Sequence, residues 1–330
     1  MSASADAAPG AASGPTPADI VAARQRIAGV LHRTPLEPSP WLSRAAGADV
    51  YLKLECWQRT RSFKARGALN AVATLAPEQR RRGLVTASAG NHGQGVALAA
   101  RIFEARCTIF VPEKASPLKV GRMEALGAEV RHAGAHYDEA AEIAVAHAAA
   151  TGAHYVHAFS APEVVAGQGT VGLEILDDLP EVAELLAPVG GGGLIGGVGI
   201  ALRSANPEVR LHGVQTPPTS SMYESFRAGR AVATGLGEST LADGLHGGVD
   251  TPAFERARAL GVQMHLVAEE SLPEAIRGLY CEHGVVAEAA AVVGVALLLS
   301  GGLSLGGPTV VIVSGGNIDP GKLASFLSGA

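Results

Sequence analysis

Four short segments carry residues able to do chemistry, and each follows a β-rich run. In Ser62-Phe63-Lys64-Ala65-Arg66-Gly67, the lysine falls at a helix start. Helix N-termini disfavour cations, and an amine with a lowered pKa is a better nucleophile toward an aldehyde. A solvated surface lysine is the plain alternative. In Ser88-Ala89-Gly90-Asn91-His92-Gly93, small polar residues at a strand-to-helix turn offer hydroxyls and free N–H groups. These suit a carboxylate, and Asn91 can hydrogen-bond a ring hydroxyl. Capping by Ser88 or Asn91 accounts for the same residues, and His92 fits a structural histidine as well as a base. Gly190, Gly191, Gly192 and Gly193 precede Leu194 and an apolar run. Nothing but close backbone approach to an anion readily explains four glycines in a row. Their amides form a nest, and a helix start adds favourable potential for phosphate. The spacing is neither the dinucleotide pattern nor a Walker motif. A flexible linker would sit poorly between apolar segments. Ser314-Gly315-Gly316-Asn317 closes the set, either as a strand-end hydroxyl that meets a ligand or as an ordinary glycine-rich turn.

Together the four segments ask for one ligand with an aldehyde for Lys64, a phosphate for the glycines and a heteroaromatic ring for Asn91 and Ser314. Pyridoxal 5'-phosphate has all three, and its chemistry needs a lysine Schiff base and a partner for the pyridine nitrogen.

The elements that must position these residues alternate between short strands and longer helices. Strands are expected at 50–55, 83–86, 107–111, 128–131, 155–157, 186–189, 209–214, 264–267 and 309–313. Helices are expected at 65–75, 91–103, 117–126, 137–150 and 162–176. That alternation predicts an α/β fold with parallel sheets, and so many units imply two sheets. The β-branched run 309–313 predicts a strand buried on both faces. Open parallel sheets bind ligands beyond the carboxyl ends of their strands, where the four segments lie. At 330 residues, two domains are expected.

Composition removes several classes. The formal net charge is −5 with no basic block, which argues against nucleic acid as a partner. Three widely spaced cysteines, Cys56, Cys107 and Cys281, make neither a disulfide framework nor a zinc site and point to a reducing, cytoplasmic setting. Residues 1–16 read as a disordered tail without the basic start or apolar core of a signal peptide. The most apolar stretch, 287–300, contains Glu288 and is too short to span a bilayer, so a buried core helix is expected there and no membrane partner.

On these motifs the chain resembles the fold-type II pyridoxal-phosphate enzymes (tryptophan synthase β-like), in the serine/threonine dehydratase branch that also holds serine racemase. The resemblance runs over about 34–317. It rests on the lysine motif 62–68, on 88–92, 166–170 and 190–193, on Leu241-Ala242-Asp243-Gly244, and on 314–317, all in order. It implies that Lys64 carries the Schiff base, that Phe63 packs on the ring and that Asn91 faces the ring hydroxyl. It places the phosphate on Gly190, Gly191, Gly192, Gly193 and Leu194, and the pyridine nitrogen opposite Ser314. Ser88, Asn91 and His92 would receive the substrate carboxylate. It also implies two open parallel-sheet domains, a large one from 17–80 and 160–330 and a small one from 81–159. A homo-oligomer, dimer or tetramer, is implied as well. A serine hydroxyl does not hold the pyridine nitrogen protonated, so a long-lived carbanion is disfavoured and β-elimination is favoured over transamination.

Departures from the family pattern narrow the expectation. Racemases of the family use a serine where this chain has Ala89, which cannot transfer a proton. Metal-assisted members place acids where this chain has Gln215 and Ser221, so no Mg²⁺ or Ca²⁺ is expected there. Arg61 stands where many relatives have glycine, either touching substrate or facing solvent. The chain ends soon after Asn317, so a C-terminal regulatory domain is not expected. Phe159 stands where threonine deaminases carry phenylalanine and suits an apolar β-substituent. The expected reaction is therefore dehydration and deamination of L-threonine, L-serine or both, to a 2-oxo acid and ammonia. Phenylserine or another bulky β-hydroxy amino acid is the alternative substrate, and 3-hydroxyaspartate is disfavoured because no second cationic anchor is evident beyond Arg61. Racemisation and β-replacement rank behind. A non-catalytic phosphate-binding module would not need the nucleophile Lys64.

Overall fold

The computed structural model describes residues 14–234 and 239–328. Among them ten strands form two sheets. The strands are β1 (Leu36–Pro38), β2 (Val50–Lys53), β3 (Leu84–Ala87), β4 (Cys107–Val111), β5 (Glu129–His132), β6 (His154–Tyr155), β7 (Glu184–Pro188), β8 (Arg210–Gln215), β9 (Gln263–Leu266) and β10 (Thr309–Ile312). The six-stranded sheet has the order β1-β2-β10-β7-β8-β9 and the four-stranded sheet the order β5-β4-β3-β6. Parallel pairing holds throughout, as the alternation of strands and helices predicts, with one exception. The three-residue β1 runs antiparallel to β2 at the sheet edge, with Leu36 opposite Lys53. Its Leu-Glu-Pro sequence carries no apolar alternation, and a proline is tolerated there because the edge needs no donor.

Side chains of β10 and Val313 divide between two cores. Val311 and Val313 join one cluster with Leu52, Leu186 and Val293. Val310 and Ile312 join another with Leu185, Ala187 and Val198. All four are fully buried, as expected for a central strand covered on both faces. Each contributes roughly 1.5–3 kcal/mol of apolar burial.

Three helices, Lys64–Thr74, Pro162–Asp178 and Gly193–Ala205, pack in sequence beside the six-stranded sheet. Their approach needs glycine. A Cβ on Gly167 would lie 2.5 Å from the Arg66 carbonyl oxygen, so the 166–170 motif serves a helix crossing. An ionic cluster ties the first two of these helices to β2 and the turn that follows it. Arg66 donates to both Glu55 oxygens at 2.8 Å and to Glu174 Oε1 at 2.6 Å, while Lys53 Nζ reaches Glu174 Oε2 at 2.7 Å. Arg66 and Lys53 are essentially unexposed, so each depends on these partners for its charge to be tolerated.

Two expectations need correction or restriction. The 287–300 stretch is not one helix. A helical turn occupies Ala289–Ala291 and an α-helix spans Val293–Leu299, while Glu288 is extended and donates its N–H to Gly315 O at 3.1 Å. That extended residue turns a carboxyl toward the cleft described below. Of the expected 1–16 tail, residues 1–13 lie outside the described residues. Thr16 caps the Pro17–Ile27 helix through a reciprocal pair with Asp19. No helix of the described residues is long and apolar enough to cross a membrane.

Candidate active site

A cleft of about 480 Å³ opens where the carboxyl ends of β3, β6, β7 and β10 converge. It is lined by Phe63 and Lys64, by 87–92, by Phe159, by 190–194 and by Ser314, among others. Every residue expected at the site therefore reaches one cavity.

Lys64 is the first residue of its helix, and Phe63 precedes it as the cap. Its Nζ donates to Ala158 O at 2.9 Å and lies 5.3 Å from the Phe63 ring centroid. Burial lowers the amine pKa from 10.5 to about 8. Desolvation is the cause here, rather than the helix-start potential invoked from the sequence. The Ser314 loop holds this segment in place, since Phe63 N–H donates to Ser314 O at 3.1 Å and Ser62 bridges Gly315.

The glycine run opens the Gly193–Ala205 helix, and no side chain caps it. The amides of Gly191, Gly192, Gly193 and Leu194 donate to no acceptor among the described residues. They are therefore free for an anion. The sequence argument that only an anion explains the run needs amendment, however. Gly192 has φ +83°, a conformation that favours glycine. A Cβ on Gly191 would lie 2.4 Å from the Phe159 ring, and one on Gly193 would meet Phe159 O at 2.6 Å. Phe159 thus lies against the loop and dictates part of its composition.

Gly90, not Ser88 or Asn91, caps the Asn91–Ile102 helix. Ser88 Oγ accepts from Gly90 N–H at 3.2 Å, which leaves its own proton to donate. Backbone N–H groups of Asn91, His92 and Gly93 have no described acceptor, so a carboxylate can be held by amides and the Ser88 hydroxyl. For His92 the backbone is all that is available. Its ring is 3% exposed, and Nε2 faces Val156 O at 3.1 Å. Burial, reinforced by the nearby Lys64 charge, lowers its pKa to about 3, so the imidazole is neutral and no base at physiological pH.

Asn91 has its amide oriented from both ends. Nδ2 donates to Glu288 Oε1 at 2.6 Å, and Oδ1 accepts from Asn317 Nδ2 at 2.7 Å. One N–H and one lone pair remain for a ring hydroxyl. Glu288 escapes sequence reasoning because its neighbours are all apolar. Its carboxyl fills the room that Gly315 leaves, since a Cβ there would overlap Oε1. Burial, then repulsion by Asp243, raises its pKa from 4.5 to about 7. Lys119 and Asp243 also line the cleft and pair at 2.5 Å.

Arg61 does not touch the cleft. It has φ 57° and lies with Arg59, Arg101 and Arg122 around a separate depression. Gln215 spends its carboxamide on Val189 O, Thr219 O and the Tyr223 N–H, and Ser221 Oγ is bonded to Thr234. No cluster of three His, Cys, Asp or Glu able to hold a metal occurs among the described residues.

A desolvated amine, an array of unspent amides at a helix start and a strand-end hydroxyl in one cleft fit pyridoxal 5'-phosphate. A family profile described as pyridoxal-phosphate dependent enzyme matches residues 27–315. The chain belongs to that family. Within it the chain is a fold-type II enzyme of the serine/threonine dehydratase branch, and pyridoxal 5'-phosphate is its cofactor. It is 47% identical over 304 residues to an L-threonine ammonia-lyase of Thermotoga maritima, covering 91% of this chain and 75% of that one. The structure of the processed form of threonine deaminase isoform 2 from Solanum lycopersicum is 34% identical with a TM-score of 0.87, covering 94% of this chain and 91% of that one. The maize serine racemase structure is 30% identical with a TM-score of 0.90, covering 96% and 98%.

Proposed function

We propose that this enzyme removes water from L-threonine, and from L-serine, and that the released enamine tautomerises to an imine which takes water back and loses ammonia, giving 2-oxobutanoate or pyruvate with net loss of ammonia alone. When bound, pyridoxal phosphate supplies an aldehyde that condenses with amines and a conjugated ring that takes up charge from Cα. The chain's residues do the rest. Lys64 Nζ, its pKa near 8, is neutral often enough at physiological pH to take the Cα proton. Ser88 and the amides of residues 91–93 bind the substrate carboxylate. The amides of residues 191–194 bind the phosphate, and Ser314 faces the pyridine nitrogen as a neutral partner. Phe63 packs on the ring, and Asn91 meets its hydroxyl.

The observation that carries this reading is the desolvated Lys64 amine in a cleft whose other strand-end segment holds alanine at position 89. Alanine cannot carry a proton at the position where racemases of the family use serine, which argues against racemisation. The segment 81–159 would act as a small domain that closes over the carboxylate. We also read the enzyme as a cytoplasmic homo-oligomer. Three unpaired cysteines support that compartment.

Steady-state release of 2-oxo acid and ammonia from L-threonine, L-serine and L-phenylserine, with cofactor added and EDTA present, tests the proposal. Turnover of L-threonine in EDTA supports both the reaction and a site that needs no divalent metal. Activity on phenylserine alone would move the substrate. Accumulation of D-serine from L-serine would refute the argument from Ala89.

A further inference from the structure

The cleft contains a cation that sequence reasoning did not find. Among the described lining residues Lys64 and Lys119 are the only lysines, and no arginine joins them. Lys64 is committed to the cofactor. Lys119 comes from the Pro117–Glu124 helix beside the four-stranded sheet. Its Nζ meets Asp243 Oδ2 at 2.5 Å, on the helical turn Asp243–Leu245. The pair therefore spans the cleft between the two halves of the structure. The Lys119 side chain is about three-quarters buried and that of Asp243 half-exposed. Glu288 and Asp138 line the same cavity and add no positive charge.

We propose that the Lys119–Asp243 pair is a specificity filter, in which Asp243 neutralises the one lysine of the cleft that the cofactor does not claim. β-Hydroxy amino acids with neutral β-substituents are accepted, and those with a second carboxylate are rejected. This rests on the dehydratase reading and adds the substrate class to it. A partly buried ammonium that already holds a carboxylate cannot take another without displacing the first. A second carboxylate brought beside Asp243 also meets like charge. Removing the Asp243 charge while keeping its shape converts Lys119 into a free anchor for a dicarboxylate.

The test compares wild type, Asp243→Asn, Lys119→Gln and the double variant, each loaded with cofactor. Substrates are L-threonine and L-threo-3-hydroxyaspartate, and succinate binding is followed by calorimetry. Asp243→Asn should raise the ratio of kcat/KM for hydroxyaspartate over threonine by about tenfold or more, through a lower KM, as expected for one new charged hydrogen bond. Succinate should bind this variant correspondingly tighter. Lys119→Gln added to Asp243→Asn should abolish both gains. An unchanged ratio in Asp243→Asn, or a gain that persists in the double variant, overturns the filter. So does wild-type turnover of hydroxyaspartate as efficient as that of threonine. Should wild type fail to act on threonine at all, the dehydratase reading falls, and the succinate titrations still decide the filter.

Discussion

Replacing Glu288 by glutamine should stabilise the protein at neutral and alkaline pH while impairing its function. The carboxyl is 7% exposed, and burial followed by repulsion from Asp243 raises its pKa from 4.5 to about 7. Hydrogen bonding from Asn91 and the Lys119 charge oppose that rise and are already included in it. Between these two values the folded protein keeps a proton that the unfolded chain has released. Stability therefore falls as pH rises from about 4.5 to about 7 and is level above that. At about 1.4 kcal/mol per pH unit, the ionised carboxyl costs about 3 kcal/mol at pH 8. Glutamine has no proton to lose and keeps an oxygen for the Asn91 amide. The two proteins should thus be nearly equally stable at pH 4.5. The variant should gain progressively to pH 7 and hold an advantage of about 3 kcal/mol beyond it. Urea unfolding of the cofactor-free proteins at several pH values between about 5 and 8, followed by tryptophan fluorescence, measures this directly. Parallel stability curves would refute the reasoning, as would an advantage for the variant that is largest in acid. A stability cost carried by a cleft-lining residue marks it as retained for function, and reduced turnover in the more stable variant completes the prediction.

Other perturbations follow from the same geometry. Lys64→Ala should lose the cofactor absorbance at roughly 410–420 nm and at least about 100-fold in turnover, read by spectrophotometry and 2-oxo acid release. Gly191→Ala presses a methyl group to 2.4 Å from the Phe159 ring. An overpacking cost of about 1–3 kcal/mol should weaken cofactor binding about tenfold or more in equilibrium dialysis. Glu174→Ala strips one partner from both Lys53 and Arg66. It should cost about 3–5 kcal/mol in urea unfolding, far beyond a surface pair such as Arg81–Glu78. The His92 ring should not titrate by NMR between about pH 5 and 8, because burial keeps it neutral throughout that range.

What was legible in the sequence divides by the range of the interaction. Strands such as 107–111 and 309–313 announce themselves because β-branched runs stand between turn residues. Lys64, Ser88, Asn91, Gly190 and Ser314 are legible for the same reason, since parallel strands bring such turns to one end. The edge strand β1 is not, because three residues ending in proline carry no period. Glu288 is hidden in an alanine-rich stretch whose apolarity argues for continuous helix. Only Gly315, far along the chain, makes room for its carboxyl and accepts its N–H.

The groups that tune the site come from distant parts of the chain. Asn91 and Glu288 are 197 residues apart, and Lys119 and Asp243 are 124 apart. No local pattern registers such pairs. Arg66 shows the same limit inside the lysine motif itself. It stands two residues after Lys64, and its neighbours gave it no role. Buried between Glu55 and Glu174, it fixes the first turn of the helix that presents the lysine to the helical turn after β2 and to the Pro162–Asp178 helix. A reactive amine is useful only if its helix cannot shift, and a fork-shaped cation held by two buried carboxylates supplies that constraint. Local sequence therefore shows where the chemistry sits, while the charges that hold and select for it are visible only once the chain is folded.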